Sequence, residues 1–228
     1  MFHFPARVFN ERIAVFVDSF YEEMARLFAS QGWGWEAPRR SAGSRRPELV
    51  EGRRADASWQ HPDFVVRIAG RHKDSAIRVL EWKALRLPGV EDIGAAGNPV
   101  VRNEHRFRIA IPRAYPSDLG SIEIRAMTKL FHPRLWPEGT GPACIFVNGE
   151  IDRVLWSIVR HVLLDPEHVQ PPKLFRGQDR GMNLMAMNWY EANPHGIHKR
   201  LLDLWAEAHG AKEFKAAEKK GGGVKIEG

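Results

Sequence analysis

In 228 residues the chain has one cysteine, three tyrosines and no apolar run near the length that crosses a bilayer. A lone cysteine excludes an internal disulfide framework and a Cys-rich zinc site. The histidines show no paired metal spacing; His195-x-x-His198 comes nearest and reads as surface. No membrane association is expected, because a spanning helix needs about 20 consecutive apolar residues. The start, Met1-Phe2-His3-Phe4-Pro5, lacks a basic region followed by an apolar stretch, so a signal peptide is not expected and the reading is cytoplasmic.

What is present is ordinary for a globular protein of one substantial domain with an added arm. The net charge of +6 suits an anionic partner. Much of the excess is Arg39, Arg40, Arg45, Arg46, Arg53 and Arg54, in a stretch that also holds Gly, Ser and Pro. That reads as a solvated loop. Nucleic-acid binding would call for aromatic and basic residues interleaved on one surface, so nucleic acid is not the expected partner.

Residues 1–35 form an N-terminal helical arm: Ile13, Phe16, Val17, Phe20, Met24, Leu27 and Phe28 recur at helical spacing, and Gly32 and Gly34 end it. A basic flexible connection, 36–46, leads to the main domain, 47–210. This domain is expected to open with a short helix from Pro47 to about Gln60. Strands follow at 64–69 and 76–85, separated by a polar turn at 71–75. A glycine-containing loop spans 88–99. Phe107, Ile109 and Ile111 alternate with polar neighbours, as do Ile122, Ile124 and Ala126. Four strands joined in sequence predict an antiparallel meander in an α+β fold.

An irregular stretch, 130–148, holds His132, Pro133 and Cys144. Ile151, Val154, Leu155, Ile158, Val159, Val162 and Leu163 form the stripe of a helix stopped at Asp165-Pro166. Residues 181–210 read as helix divided at Asn193-Pro194. The tail, 211–228, is expected to be disordered; Gly221-Gly222-Gly223 within it reads as linker.

Cys144 has two readings from composition and context, a small buried apolar residue or a reactive thiol. Three pieces of sequence, in order, favour the second. Residues 107–116 read FRIAIPRAYP, a strand that exits at Tyr115-Pro116. Residues 131–140 read FHPRLWPEGT. Cys144-Ile145 comes next, and then a helix ending in Asp-Pro. Together these resemble the ubiquitin-conjugating enzymes, over roughly residues 47–210: a Tyr-Pro turn closing the third strand, an HPN segment, and a catalytic cysteine before a helix.

The resemblance implies a four-stranded antiparallel meander flanked by helices. It implies an acyltransferase that takes a ubiquitin-like modifier as a thioester on Cys144 and passes it to an amine or other nucleophile. The partners implied are the modifier, an ATP-dependent activating enzyme and a protein substrate; no cofactor is implied. His132, Pro133, Tyr115 and Pro116 would be structural. Arg134 stands where the family has Asn, and could donate to an oxyanion or lie on the surface. Gln170 stands where many members carry a lysine-activating Asp, which leaves Asp165 as the nearest acid or as a helix cap. The divergence implies a bacterial ubiquitin-like pathway, of the kind associated with defence against phage. A non-catalytic adaptor of the same fold is the alternative. Asn148 reads first as a turn residue before Gly149, and Asp152 as a first-turn acid that suits the helix dipole.

Overall fold

The computed structural model describes residues 6–36, 58–71, 78–112, 115, 122–145, 150–169 and 183–213, and for 6–10, 69–71 and 78 the backbone alone. It is a mixed α and β structure, with five helices and antiparallel sheets among the described residues. No helix among those residues is long and apolar enough to cross a membrane.

Helix α1 (Ala6–Ser30) follows the expected period. Its face of Ile13, Phe16, Val17, Phe20, Met24 and Phe28 is buried, and it joins the same hydrophobic core as the sheet and the later helices. Phe20 sits 4.8 Å from Phe64 and stacks 5.4 Å from Trp156, so the helix is seated by aromatic contacts on the sheet side and the helix side at once. The helix ends before Gly32, whose φ of +83° suits a residue without a Cβ. Gly34 lies one step further on, in the short strand β1 (Trp33–Gly34).

The principal sheet has six strands in the order β2 (Ser58–His61), β3 (Phe64–Arg71), β4 (Arg78–Ala84), β7 (His105–Ile111), β8 (Glu123–Ala126) and β9 (Gly141–Pro142). The expected four-strand meander is its centre. Alternation gives it two unlike faces: Phe64, Val66, Leu80, Trp82, Phe107, Ile109 and Ile124 point into the core, and charged residues point away.

Four expectations are corrected. Residues 58–60 are strand, not helix: Trp59 is buried opposite Val66, and β2 folds back on β3 through a turn at Pro62-Asp63. Tertiary pairing overrides the helical reading of these residues; the rest of the expected helix, 47–57, lies outside the described residues. The loop expected at 88–99 contains β5 (Gly89–Ile93), paired with β6 (Pro99–Arg102) in a separate two-stranded sheet. Its glycines hid the strand, yet Gly89 is required. A Cβ there would lie 2.8 Å from the His105 ring and 2.8 Å from Val162. Finally, the tail expected to be disordered from 211 begins with β10 (Lys212–Glu213), which pairs with β1. Arg71 likewise belongs to β3 rather than to the turn expected at 71–75, the rest of which lies outside the described residues.

The helical half agrees closely with the side-chain periods. Helix α2 (Ile151–Val162) buries the whole expected stripe, and α4 (Leu184–Ala192) and α5 (Pro194–Ala208) divide at Asn193. Between them, Pro166 does not simply stop a helix. It opens a four-residue helix, α3 (Pro166–Val169), after Leu164 has turned the chain at φ +52°.

Candidate active site

The stretch between β8 and α2 is irregular in secondary structure but closed by its own hydrogen bonds. The Leu130 amide donates to Gly139 O at 2.8 Å, the Gly139 amide to Trp136 O at 2.8 Å, and the Leu135 amide to His132 O at 3.2 Å. Gly139 has a φ of +72°, and a Cβ there would lie 2.7 Å from Leu130 O. Only glycine closes this loop. Its outgoing arm is bonded to the sheet and then to its own incoming arm: the Ala143 amide donates to Ile124 O at 2.8 Å, and the Cys144 amide to Arg134 O at 2.9 Å.

Cys144 is half-buried and carries the one thiol of the chain. The His-Pro-Arg segment lies directly behind it in the backbone ladder, so two of the quoted motifs meet in space. His132 is buried, and its Nδ1 accepts from the Arg134 amide at 2.9 Å. Burial first, then the Arg134 charge, push its pKa down to about 3, so the ring is neutral. A sealed, neutral imidazole bonded to backbone is a brace for the loop.

Arg134 is also buried, and its Nε donates to Val169 O at 3.3 Å. Of the two roles left open for it, a surface position is excluded. Through this bond it ties the loop to α3. Asp165 is buried as well. Its carboxylate takes a hydrogen bond from Arg160 at 2.8 Å and from the Glu167 amide at 3.0 Å, and lies 3.4 Å from His168 Nδ1. Burial alone would raise its pKa; the bonds from His168, Arg160 and the Glu167 amide outweigh this and hold it well below the carboxylate range. Asp165 thus caps α3 in the structure. Pro133 is buried beside these residues, and Gln170, Pro116 and Asn148 lie outside the described residues. The expected trio of Cys144, Arg134 and Asp165 is linked through backbone and α3, with the Arg134 Nε and the Asp165 carboxylate both engaged within the protein.

Two residues gain roles that the sequence did not suggest. The Tyr115 hydroxyl accepts from the Ile151 amide at 3.0 Å and so caps α2, whose own N-cap Glu150 makes no side-chain cap bond. The strand exit at Tyr115 therefore fixes the helix that follows Cys144. His161, on the buried stripe of α2, lies with its ring 5.5 Å from that of His132, and 6.4 Å from that of His168. Burial first, and the neighbouring His132, push its pKa well down. A histidine in register with an apolar stripe was the available signal. Among the described residues no cluster of His, Cys, Asp and Glu could hold a metal ion.

No family model, curated protein or solved structure matches the chain.

Proposed function

We propose that the protein is a ubiquitin-conjugating-like acyltransferase, with a fold of that kind, that carries a ubiquitin-like modifier on Cys144. The observation that carries the reading is the pairing of the half-buried Cys144 with the carbonyl of Arg134. It holds a lone thiol at the rim of a loop braced from behind by His132, with the capped start of α2 next in the chain. In the loading step the Cys144 thiolate attacks the modifier's thioester carbonyl and expels the activating enzyme's thiolate. In the transfer step an amine attacks the Cys144 thioester, loses its proton to solvent or a base, and expels the Cys144 thiolate. The protein would act in the cytoplasm, in a bacterial ubiquitin-like pathway of the phage-defence type.

Discharge is the step with least support from the side chains. The engagement of the Arg134 Nε by Val169 and of Asp165 by Arg160 favours, as the second reading, an adaptor that binds the modifier without transferring it.

One experiment separates the two. The protein is incubated with a ubiquitin-like protein, its activating enzyme and ATP, and resolved without reductant. An adduct that dithiothreitol removes, and that becomes a thiol-resistant ester in Cys144→Ser, is the expected result. Binding without any adduct at saturating partner, or an adduct unchanged in Cys144→Ser, rejects the enzyme reading.

A further inference from the structure

The solvent face of the principal sheet carries a row of cations that outnumber the acids among them. The strand registers place Arg67 opposite Glu81, Glu81 opposite Arg108, and Arg108 opposite Arg125, so these four side chains cross β3, β4, β7 and β8 in one line. Lys83 and Arg106 form a second line beside it. Arg67, Arg106, Arg108 and Arg125 are all exposed, and no described part of the chain covers them. Lys83 is paired with Glu104 at 2.8 Å, and Arg125 approaches Glu123 at 3.5 Å. Among the described residues Arg67, Arg106 and Arg108 have no ion-pair partner.

Like charges directly opposite each other on a sheet are destabilising. Arg108 facing Arg125 is such a pair, retained on an open face whose acids, Glu81 on β4 and Glu123 on β8, leave it in place. The arrangement is relieved when counter-charge arrives from outside. Two kinds of anion could supply it. A nucleic acid offers uniform negative charge, which would also press against Glu81 and Glu123, and among the described residues this face has no aromatic side chain on which a base could stack. A protein can place its acids one by one.

We propose that this face docks an acid-rich helix of a partner protein. Adjacent strands lie about 4.8 Å apart, close to the roughly 5–6 Å between residues three or four apart on a helix surface. A helix laid across the strands would bring successive acidic side chains over Arg67, Arg108 and Arg125, with a basic or neutral residue over Glu81. Val65 and Ala110, half-buried between the charges, supply apolar contact. The surface lies on the sheet face opposite the core and does not depend on what Cys144 does.

The test uses the full chain and a fluorescein-labelled helical peptide with glutamate at every third or fourth position, read by anisotropy. Binding that weakens with added salt is expected. Arg108→Glu with Arg125→Glu is expected to weaken it about tenfold or more, and Glu81→Gln to tighten it by roughly threefold. Arg125→Glu alone is expected to change the melting temperature little, since it exchanges the repulsion from Arg108 for attraction while giving up only the exposed contact with Glu123. The milder Arg67→Ala serves where the charge reversals disturb folding. Undetectable peptide binding, or an affinity indifferent to these changes, overturns the proposal. So does a 20-base-pair DNA duplex that binds more tightly than the peptide and loses affinity in the same variants; that result would make the face a nucleic-acid surface.

Discussion

Two buried histidine clusters sit at opposite ends of the helical layer, and they solve the same problem in opposite ways. Around Asp63, at the turn between β2 and β3, the carboxylate meets His209 Nε2 at 2.8 Å and Arg86 at 2.7 Å, with His61 Nδ1 3.6 Å away. His209 Nδ1 lies 2.8 Å from Trp205 O as well, so both ring nitrogens face acceptors, and a neutral ring could satisfy only one of them. Burial would raise the Asp63 pKa, but the His209 bond, its charge and Arg86 hold it low. Behind Cys144, no carboxylate among the described residues is hydrogen-bonded to His132 or His161, and Asp165 is engaged by Arg160 and α3. The first cluster is built on an ionised carboxylate and ties the end of α5 to the sheet. The second stays neutral and shapes a loop. A carboxylate within hydrogen-bond reach makes the difference, and burial is common to both.

The largest expected effect comes from removing that carboxylate. Asp63→Ala leaves Arg86 without its counter-charge and His209 Nε2 without its partner, and should cost about 3 kcal/mol, read as a lower urea midpoint. A loss below about 1 kcal/mol would show that the cluster is not a lock.

Acid should sharpen the contrast. Unfolded histidine takes up a proton near pH 6.5, while folded His132 does so only near 3 and folded His105, pushed down chiefly by burial, near 4. Over that window the unfolded state binds more protons. Stability therefore falls as pH drops from about 6.5 toward 4, by about 1.4 kcal/mol per pH unit for each such histidine. The Asp63 contribution has the depressed-carboxylate sign: present above about pH 4, and lost as pH falls through its lowered pKa. His132→Leu should flatten the slope between pH 6.5 and 4, whereas Asp63→Asn should leave that slope in place. Equal slopes in wild type and His132→Leu would contradict the neutral-brace assignment.

Tyr115→Phe should cost about 1 kcal/mol, through loss of the hydroxyl that accepts from the Ile151 amide. Unchanged stability would mean that another group satisfies this amide. The smallest effect is expected at the proposed nucleophile: Cys144→Ala, at a half-buried site, should stay within about 0.5 kcal/mol of wild type by chemical denaturation. A larger loss would restore the reading of Cys144 as a packed core residue.

These residues also mark where sequence was informative. The stripes of α1 and α2 were legible because each apolar side chain repeats at the helical period and faces one core. The alternating strands β7 and β8 were legible for the same reason at period two. β2 was not, because its identity depends on Val66 lying opposite Trp59, a pairing no local pattern announces. β5 was hidden by the glycines around it, of which Gly89 is there to let His105 and Val162 approach. In the candidate site, the order of Tyr115, His132 and Cys144 was visible, and the family resemblance implied a structural role for His132. The turn of Arg134 toward Val169 and the capture of Asp165 by Arg160 were not, since both depend on where α3 settles after the reversal at Leu164.

The pairing of β1 with β10 bears on the order in which the chain assembles. Trp33 donates to Asp203 at 2.7 Å and Trp35 to His209 O at 3.1 Å, so this clasp joins segments about 170 residues apart in sequence. Contacts of such separation carry a large loop-closure entropy, which only a framework already in place can offset. The clasp is thus a late event: its closure waits on the sheet and α5, and on unfolding it belongs among the first contacts to open.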